Sequence, residues 1–376
     1  MPAASSIDEA RLEGQCIRLL QAVDQQSHSV TRPDDGIHCL SSAVVTSLGW
    51  MYMDLERAVL ELESILSHQQ DDGRIPPRPG AAGVVLPLLA SIFRMIYHSA
   101  KQRQRNLESR LAALVLPIDR LHLFLFESAR GEEHRLARNL NAFAPEDSRV
   151  ISARGGEPPL ECGPSAQDVH NEAPRPPSVV EVGLNALLVQ AESDLADVAI
   201  HIGFPTQQII YRRTHRARAV AERLWRQELR CFSSKTDDGE WCPLAGEDLL
   251  PLWSGAALRH QARSLLHQHL RPGHGFWTDW PLATLPADGP GFVEDALGSG
   301  AVDPLLNWLM VRGLHRYGET QSARAISDAS LGLAARHGLC QAFSCRSGTP
   351  VGLTSWAPTA AVVLDLLKTP SDFERW

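Results

Sequence analysis

Apolar residues recur at helical spacing along most of the chain. Leu55, Val59, Leu62 and Leu66 share one face after Asp54, whose short side chain suits an N-cap. Leu184, Leu188, Ala191, Leu195, Val198 and Ile202 repeat the pattern and stop at Gly203. Ala360, Val363, Leu364 and Leu367 do so again, with Pro358 in the first turn and Pro370 beyond the end. The same periodicity predicts helices near 7–24, 84–104, 106–116, 212–230, 256–270, 304–317 and 320–337. Alternating strand patterns are scarce, and Pro and Gly punctuate the chain between helices at 71–83, 153–177, 271–291 and 344–352. Roughly ten to twelve helices follow. Segments 184–202 and 305–314 are apolar on more than one face, which marks them as buried. No fixed repeat of about 34 to 45 residues marks a solenoid. A closed ring of helix pairs, with the long loops gathered at one end, fits better. The expected organisation is a single domain over residues 1–376.

Composition narrows the partners. The 376 residues carry a net charge of −8, which favours neither nucleic acid nor an anionic membrane surface. The longest nearly apolar run, AAGVVLPLLASIF at 81–93, is too short to span a bilayer and contains a Pro. Seven Cys form no CxxC pair and no ladder of spacings, so neither a disulfide framework nor a zinc site is indicated. The N-terminal residues have no basic stretch followed by an apolar one. A soluble protein of the cytoplasm is expected, with no metal or organic cofactor and no oligomeric state legible.

Several stretches carry candidate chemistry. In FVEDALGSGAVDPLLNWLMVRGLHRYG, residues 292–318, an acidic, glycine-rich turn leads into an apolar helix, with Asp303 against Pro304. SHQQDDGRIPP (67–77) ends a helix; beyond that role, Gln69 and Asp72 are candidates to point into a central cavity. Trp277, Trp280, Trp308 and Trp356 lie near helix–loop junctions. Trp faces with neighbouring Asp and Asn, here including Asn307, are what a sugar cleft needs, although any single one reads as core. The segment 153–177, with six Pro and three Gly, is either a plain loop or an active-site loop. His260, His267, His269 and His274 have no metal-ligand spacing. The run 211–230, with seven Arg and interleaved Glu222 and Glu228, reads as a solvated helix face.

Four stretches in order resemble the (α/α)6-barrel glycoside hydrolases of family 63, closest to the mannosylglycerate/glucosylglycerate hydrolase group. They are AVLELESILSHQQDDGRIPP, PPSVVEVGLNALLVQAESDLADVAIHIG, LATLPADGPGFVEDALGSGAVDPLLNWLMVRGLHRYG and HGLCQAFSCRSGTPVGLTSWAPTAAVVLDLL. The resemblance covers about residues 30 to 368 and implies an all-α (α/α)6 toroid. The departures fall at the family's pocket. Where the family has Trp-Asp-Ser, this chain has His38-Cys39-Leu40-Ser41. The family's general acid lies in an Asp-Asn-Ser-Pro loop, and here that region reads Gly163-Pro164-Ser165. Its Arg-Gly-Pro-Val-Trp-Pro is Ser299-Gly300-Ala301-Val302-Asp303-Pro304, and its general-base Glu is Gln341.

An inverting glycosidase needs two carboxyl groups roughly 6.5–9.5 Å apart. A Gln cannot accept the attacking water's proton, and losing a general base removes on the order of 10²–10⁴ in rate. Three expectations follow. The first is a small-molecule enzyme that isomerises, eliminates or cyclises in a biosynthetic pathway, with Asp303 and His38 as an acid/base pair. The second is a hydrolase with relocated carboxylates, drawn from Glu161, Asp168, Glu172, Glu294, Asp295 and Asp303. The third is a silent sugar-binding protein. In each, Gln69, Asp72, Trp277, Trp280, Asn307, Gln341 and Trp356 are candidates to line the pocket of a sugar-like ligand.

Overall fold

The computed structural model describes residues 7–26, 39–77, 84–127, 136–137, 179–236 and 238–369. Among them are twelve helices: α1 Glu9–Gln26, α2 Leu40–Met53, α3 Leu55–Leu66, α4 Leu89–Gln102, α5 Glu108–Glu127, α6 Val182–His201, α7 Gln207–Arg223, α8 Pro251–Ser254, α9 Arg259–His269, α10 Pro304–Arg316, α11 Thr320–His337 and α12 Ala357–Lys368. A single 3₁₀ turn, Gly246–Leu249, precedes α8.

The even-numbered helices form a closed ring. α2 packs on α4, α4 on α6, α6 on α8, α8 on α10, α10 on α12, and α12 back on α2. The odd-numbered helices back it: α1 against α12 and α2, α3 against α2 and α4, α5 against α4 and α6, α7 against α6, and α11 against α10 and α12. α9 packs on the strand Cys231–Phe232. This is the (α/α)6 toroid that the sequence resemblance implies. The ring closes where side chains are absent. A Cβ on Gly313 of α10 would lie 2.8 Å from the Trp253 nitrogen of α8, so only Gly permits that approach.

Link length gives the ring a polarity. Inner helices pass to outer ones through one to five residues: 54, 103–107, 202–206, 255–258 and 317–319. Outer helices return through long segments, from 27–39 to 128–181. Because the chain alternates inner and outer, all inner helices run the same way, and every long segment reaches their N-terminal end. We call that end the mouth and the short-link end the floor. The strands lie in the long segments: β1 Val179–Val180 pairs with β4 Lys235–Thr236, β2 Trp225–Arg226 with β3 Cys231–Phe232, and β5 Ala342–Phe343 with β6 Pro350–Val351, all antiparallel.

Three elements depart from the periodic reading. α2 buries twelve of its fourteen residues, including Ser41, Ser42, Thr46 and Ser47, so it has no solvent face to generate an amphipathic pattern. α5 runs through Pro117, where an end near 116 is predicted; Val115, Ile118, Leu121 and Leu125 are all buried, and that packing outweighs the roughly 3 kcal/mol an interior Pro costs. α7 stops at Arg223 instead of running to 230. The chain turns into a hairpin whose Trp225 and Phe232 rings meet edge to face at 5.0 Å. The solvated arginine face is also corrected. Arg212 and Arg216 are buried, at 3% and 0% exposure, because both lie beside the fully buried Glu192 of α6, and Arg212 also pairs with Asp119 of α5. Arg218, paired with Glu222, does face solvent.

Candidate functional site: mouth and floor of the ring

The mouth is assembled by backbone ladders and small polar side chains. Val302, just before α10, bridges Ala283 on one side and Phe343 on the other. Ser41 accepts from the Leu86 nitrogen and Pro77 O from the Leu40 nitrogen, which ties the approach to α4 onto α2. Thr359 of α12 donates to Cys340 O. Asn307, fully buried on α10, accepts from the Leu282 nitrogen and donates to Pro281 O and Ser330 Oγ, fixing segment 276–284 over the ring. Gln341 donates its backbone nitrogen to Leu353 O, and its Oε1 accepts from the Leu353 nitrogen at 3.3 Å. Trp356, half-buried, precedes α12.

Asp303 is 4% exposed and caps α10, its Oδ1 accepting from the Leu305 nitrogen at 3.0 Å. A carboxylate at a helix N-terminus is favoured by the dipole and by the unsatisfied N–H groups there. Asp303 therefore sits at the mouth, two residues from the Ser299–Ala301 turn and next in sequence to the ladder that carries Phe343. Trp277 and Trp280 are buried in the segment above it, with Arg336 stacked 5.2 Å from the Trp280 ring. Glu294 is exposed and paired with Arg346 at 3.1 Å; Asp295 is exposed too. Gln69 donates to Gly73 O and to Pro117 O of outer helix α5, and Asp72 is an exposed acceptor for the Arg74 nitrogen. Trp308 belongs to the other end: its Nε1 donates to Asp365 at 2.6 Å. His38, Glu161, Asp168 and Glu172 lie outside the described residues.

Two mouth carboxylates carry no sequence motif, beside Asp248, whose oxygens already accept from the Ala245 nitrogen and the Ser234 hydroxyl. Glu181, 2% exposed, is the N-cap residue of α6. Glu247 stands in the 3₁₀ turn before α8, its stem against Gly183; a Cβ there would lie 2.8 Å from that of Glu247. With Asp303, these acids begin three consecutive ring members, α6, α8 and α10. The facing members α12, α2 and α4 begin without one: residues 339–359, 39–43 and 84–88 contain no Asp or Glu. Asn185 is a further positioning residue. Fully buried on α6, it holds Ala137 through both backbone groups and donates to Glu181 O. An Asn in an apolar helix is the available signal.

The floor is charged. Arg94 of α4 meets Asp197 of α6 at 2.6 Å and Asp194 at 3.6 Å, and His98 also meets Asp197, at 2.7 Å. Arg312 and Trp308 of α10 and Tyr52 of α2 converge on Asp365 of α12. Burial pushes the Asp194 carboxyl up to about 6, against the pull of Ser91 and Arg94. A cavity of about 470 Å³ lies between α4, α6, α8 and α10. Because α4 and α10 face each other across the ring, the cavity is inside it.

Among the described residues, no group of three His, Cys, Asp or Glu side chains is placed to hold a metal ion. No helix among them is long and apolar enough to cross a membrane.

Comparison with known proteins gives a consistent picture. The family model described as "Mannosylglycerate hydrolase MGH1-like glycoside hydrolase domain" matches residues 37–357. A mannosylglycerate hydrolase of Thermus thermophilus is 23% identical over 85% of this chain and 91% of its own length. That of Rubrobacter radiotolerans is 26% identical over 50% of this chain, a match spanning 44% of that protein. Crystal structures of a family 63 mannosylglycerate hydrolase from another Thermus thermophilus strain superpose with a TM-score of 0.78 in complex with glucose and 0.80 with Tris and D-glycerate. They are 22% and 21% identical and cover 96% of this chain and 100% of theirs.

Proposed function

This chain belongs to the mannosylglycerate hydrolase MGH1-like glycoside hydrolase family, and on that premise we propose that it acts on a small sugar-like molecule at the mouth by one-sided acid–base chemistry. A proton is removed and returned on the α6–α8–α10 wall: to carbon in isomerisation, or to the oxygen that departs as water in elimination or cyclisation. The observation that carries this reading is the placement of Glu181, Glu247 and Asp303 on three consecutive ring members opposite a wall whose described residues begin with none. Inversion by hydrolysis wants an acid and a base on opposite faces of the scissile bond. Gln341, where the sequence resemblance places the family's base, offers a carbonyl oxygen that holds a backbone N–H and cannot take a proton. Glucose and D-glycerate bound in the Thermus relative support a ligand of that size and polarity.

The test is product analysis in isotopic water. Purified protein is incubated with mannosylglycerate, glucosylglycerate and the free sugars and sugar acids in D₂O and in H₂¹⁸O. Deuterium at a carbon position without release of D-glycerate supports the proposal. Release of D-glycerate with ¹⁸O at the anomeric carbon makes the protein a hydrolase with relocated carboxylates. Binding with neither isotope incorporated and no new product formed makes it a silent sugar binder.

A further inference from the structure

The mouth reading leaves the floor cavity without a use. Its walls are Arg94, Gln190, Asp194, Trp253, Arg312 and Arg316, with Ser91 and Ser193 between them. Three arginines line it, and they differ. Arg94 is neutralised by Asp197 at 2.6 Å and Arg312 by Asp365 at 2.5 Å. Arg316 is exposed and has no carboxylate within salt-bridge distance among the described residues, although the Asp194 charge acts on it; its Nη2 donates to the amide oxygen of Gln190 at 2.8 Å. Gly255, in the link after α8, leaves the room the guanidinium occupies, since a Cβ there would stand 2.7 Å from its Nη1. A guanidinium has five donors in a rigid fork, suited to a carboxylate or phosphate. The cavity also presents the hydroxyls of Ser91 and Ser193, the Gln190 amide, the Asp194 carboxyl and the indole of Trp253, groups that suit a hydroxylated ligand.

We infer that the floor cavity is a second binding site, separate from the mouth, for a small hydroxylated anion such as a sugar acid or sugar phosphate, with Arg316 receiving the anionic group. The cavity volume of about 470 Å³ falls within the range of small-ligand sites. The inference does not depend on what reaction the mouth performs, because it is read by binding alone.

The experiment is calorimetric titration of the full chain with D-gluconate, glucose 6-phosphate, D-glucose and inorganic phosphate. The expected result is saturable binding of gluconate or glucose 6-phosphate, whichever anion the cavity prefers, with D-glucose and inorganic phosphate at least about tenfold weaker. Arg316→Gln weakens that binding at least about tenfold, the loss of one charge-assisted contact. Ser193→Phe, which fills the cavity and leaves its charges in place, abolishes it. Arg218→Gln, which removes an exposed charge from α7, leaves it within twofold. A thermal melt on each variant confirms folding, and either cavity variant suffices if the other fails to fold. The inference is overturned if neither probe anion saturates, if D-glucose or inorganic phosphate binds as well as the anionic sugar, or if folded Arg316→Gln and Ser193→Phe bind like the parent. It is equally overturned if Arg218→Gln weakens binding as much as Arg316→Gln does, since that is attraction to net charge.

Discussion

The two ends of the ring are fastened by different physics. At the floor, side chains of opposite charge cross from one inner helix to the next: Arg94 to Asp194 and Asp197, Arg312 to Asp365. At the mouth the joins are backbone ladders and neutral side chains such as Ser41, Asn307 and Thr359, and the carboxylates stand along one wall. A buried ion pair is costly to break because the surviving charge is stranded. A neutral backbone join is worth far less per contact. The floor is therefore where substitutions threaten the fold, and the mouth is where they threaten chemistry.

Asp365→Ala is the strongest challenge to that contrast. It strands Arg312 and removes the acceptor shared by Tyr52 and Trp308, so unfolding stability falls by about 4 kcal/mol. Denaturant titration reads this directly, and a loss near zero would erase the distinction between the ends. Glu192→Gln, between floor and mouth, leaves Arg212 and Arg216 buried with one fewer charge partner and costs about 3 kcal/mol in the same measurement.

Two titrations sharpen the comparison by pulling in opposite directions. His122, fully buried beside Arg212 and Arg216, is pushed down to about 3 by burial first and by those charges second. The unfolded chain takes up this proton at the ordinary 6.5 while the folded protein does not. Stability from His122 is thus present above about 6.5 and is lost as pH falls toward about 3. Asp194 behaves inversely. Its folded form keeps a proton up to about 6, so its contribution is present below the ordinary carboxylate value and lost as pH rises through about 6. Between about pH 4 and 6 the two slopes oppose. Asp194→Asn should expose the histidine slope, a loss of about 1.4 kcal/mol per pH unit on acidification. His122→Leu should reverse the sign, which denaturation midpoints between about pH 4 and 7 will show.

The smallest stability effect belongs to the mouth. Asp303→Ala removes the α10 cap and costs about 1 kcal/mol. Asp303→Asn keeps the cap and stays within about 0.5 kcal/mol of the parent. Turnover should drop about a hundredfold or more in both, since neither replacement moves a proton. Unchanged turnover in Asp303→Asn would transfer the acid–base role to Glu181 or Glu247.

Much of this fold is written as periodicity. α3 and α12 show apolar spacing with legible ends, α6 and α10 are apolar on more than one face, α11 is legible by spacing, and Asp54 caps α3 as its position predicts, accepting from the Glu56 and Arg57 nitrogens. α2 is silent because four of its buried residues, Ser41, Ser42, Thr46 and Ser47, are polar and break up the apolar spacing. α8 is silent because four residues are too few for a period. The site is harder to read. Asp303 is visible through its Pro and Gly neighbours, whereas Glu181 and Glu247 become neighbours only once the ring closes. The floor cavity draws residues from four helices between positions 91 and 316, with no local motif. Its only trace in sequence is acidic or basic pairs spaced by three or four within apolar helices, Asp194 with Asp197 and Arg312 with Arg316. Of the four only Asp194 is buried, and charge at that spacing looks the same as a solvated stripe until packing is known.

A single residue, Asp54, carries the chain from α2 into α3, and it is already committed to capping α3. Such a joint has no slack to absorb an inserted residue. The opposite end has slack everywhere. Lineages can therefore add or remove chain at the rim and acquire new specificities without retuning the base. The base, whose links run from one to five residues, has far less slack. Diversification in this scaffold is geometrically one-directional.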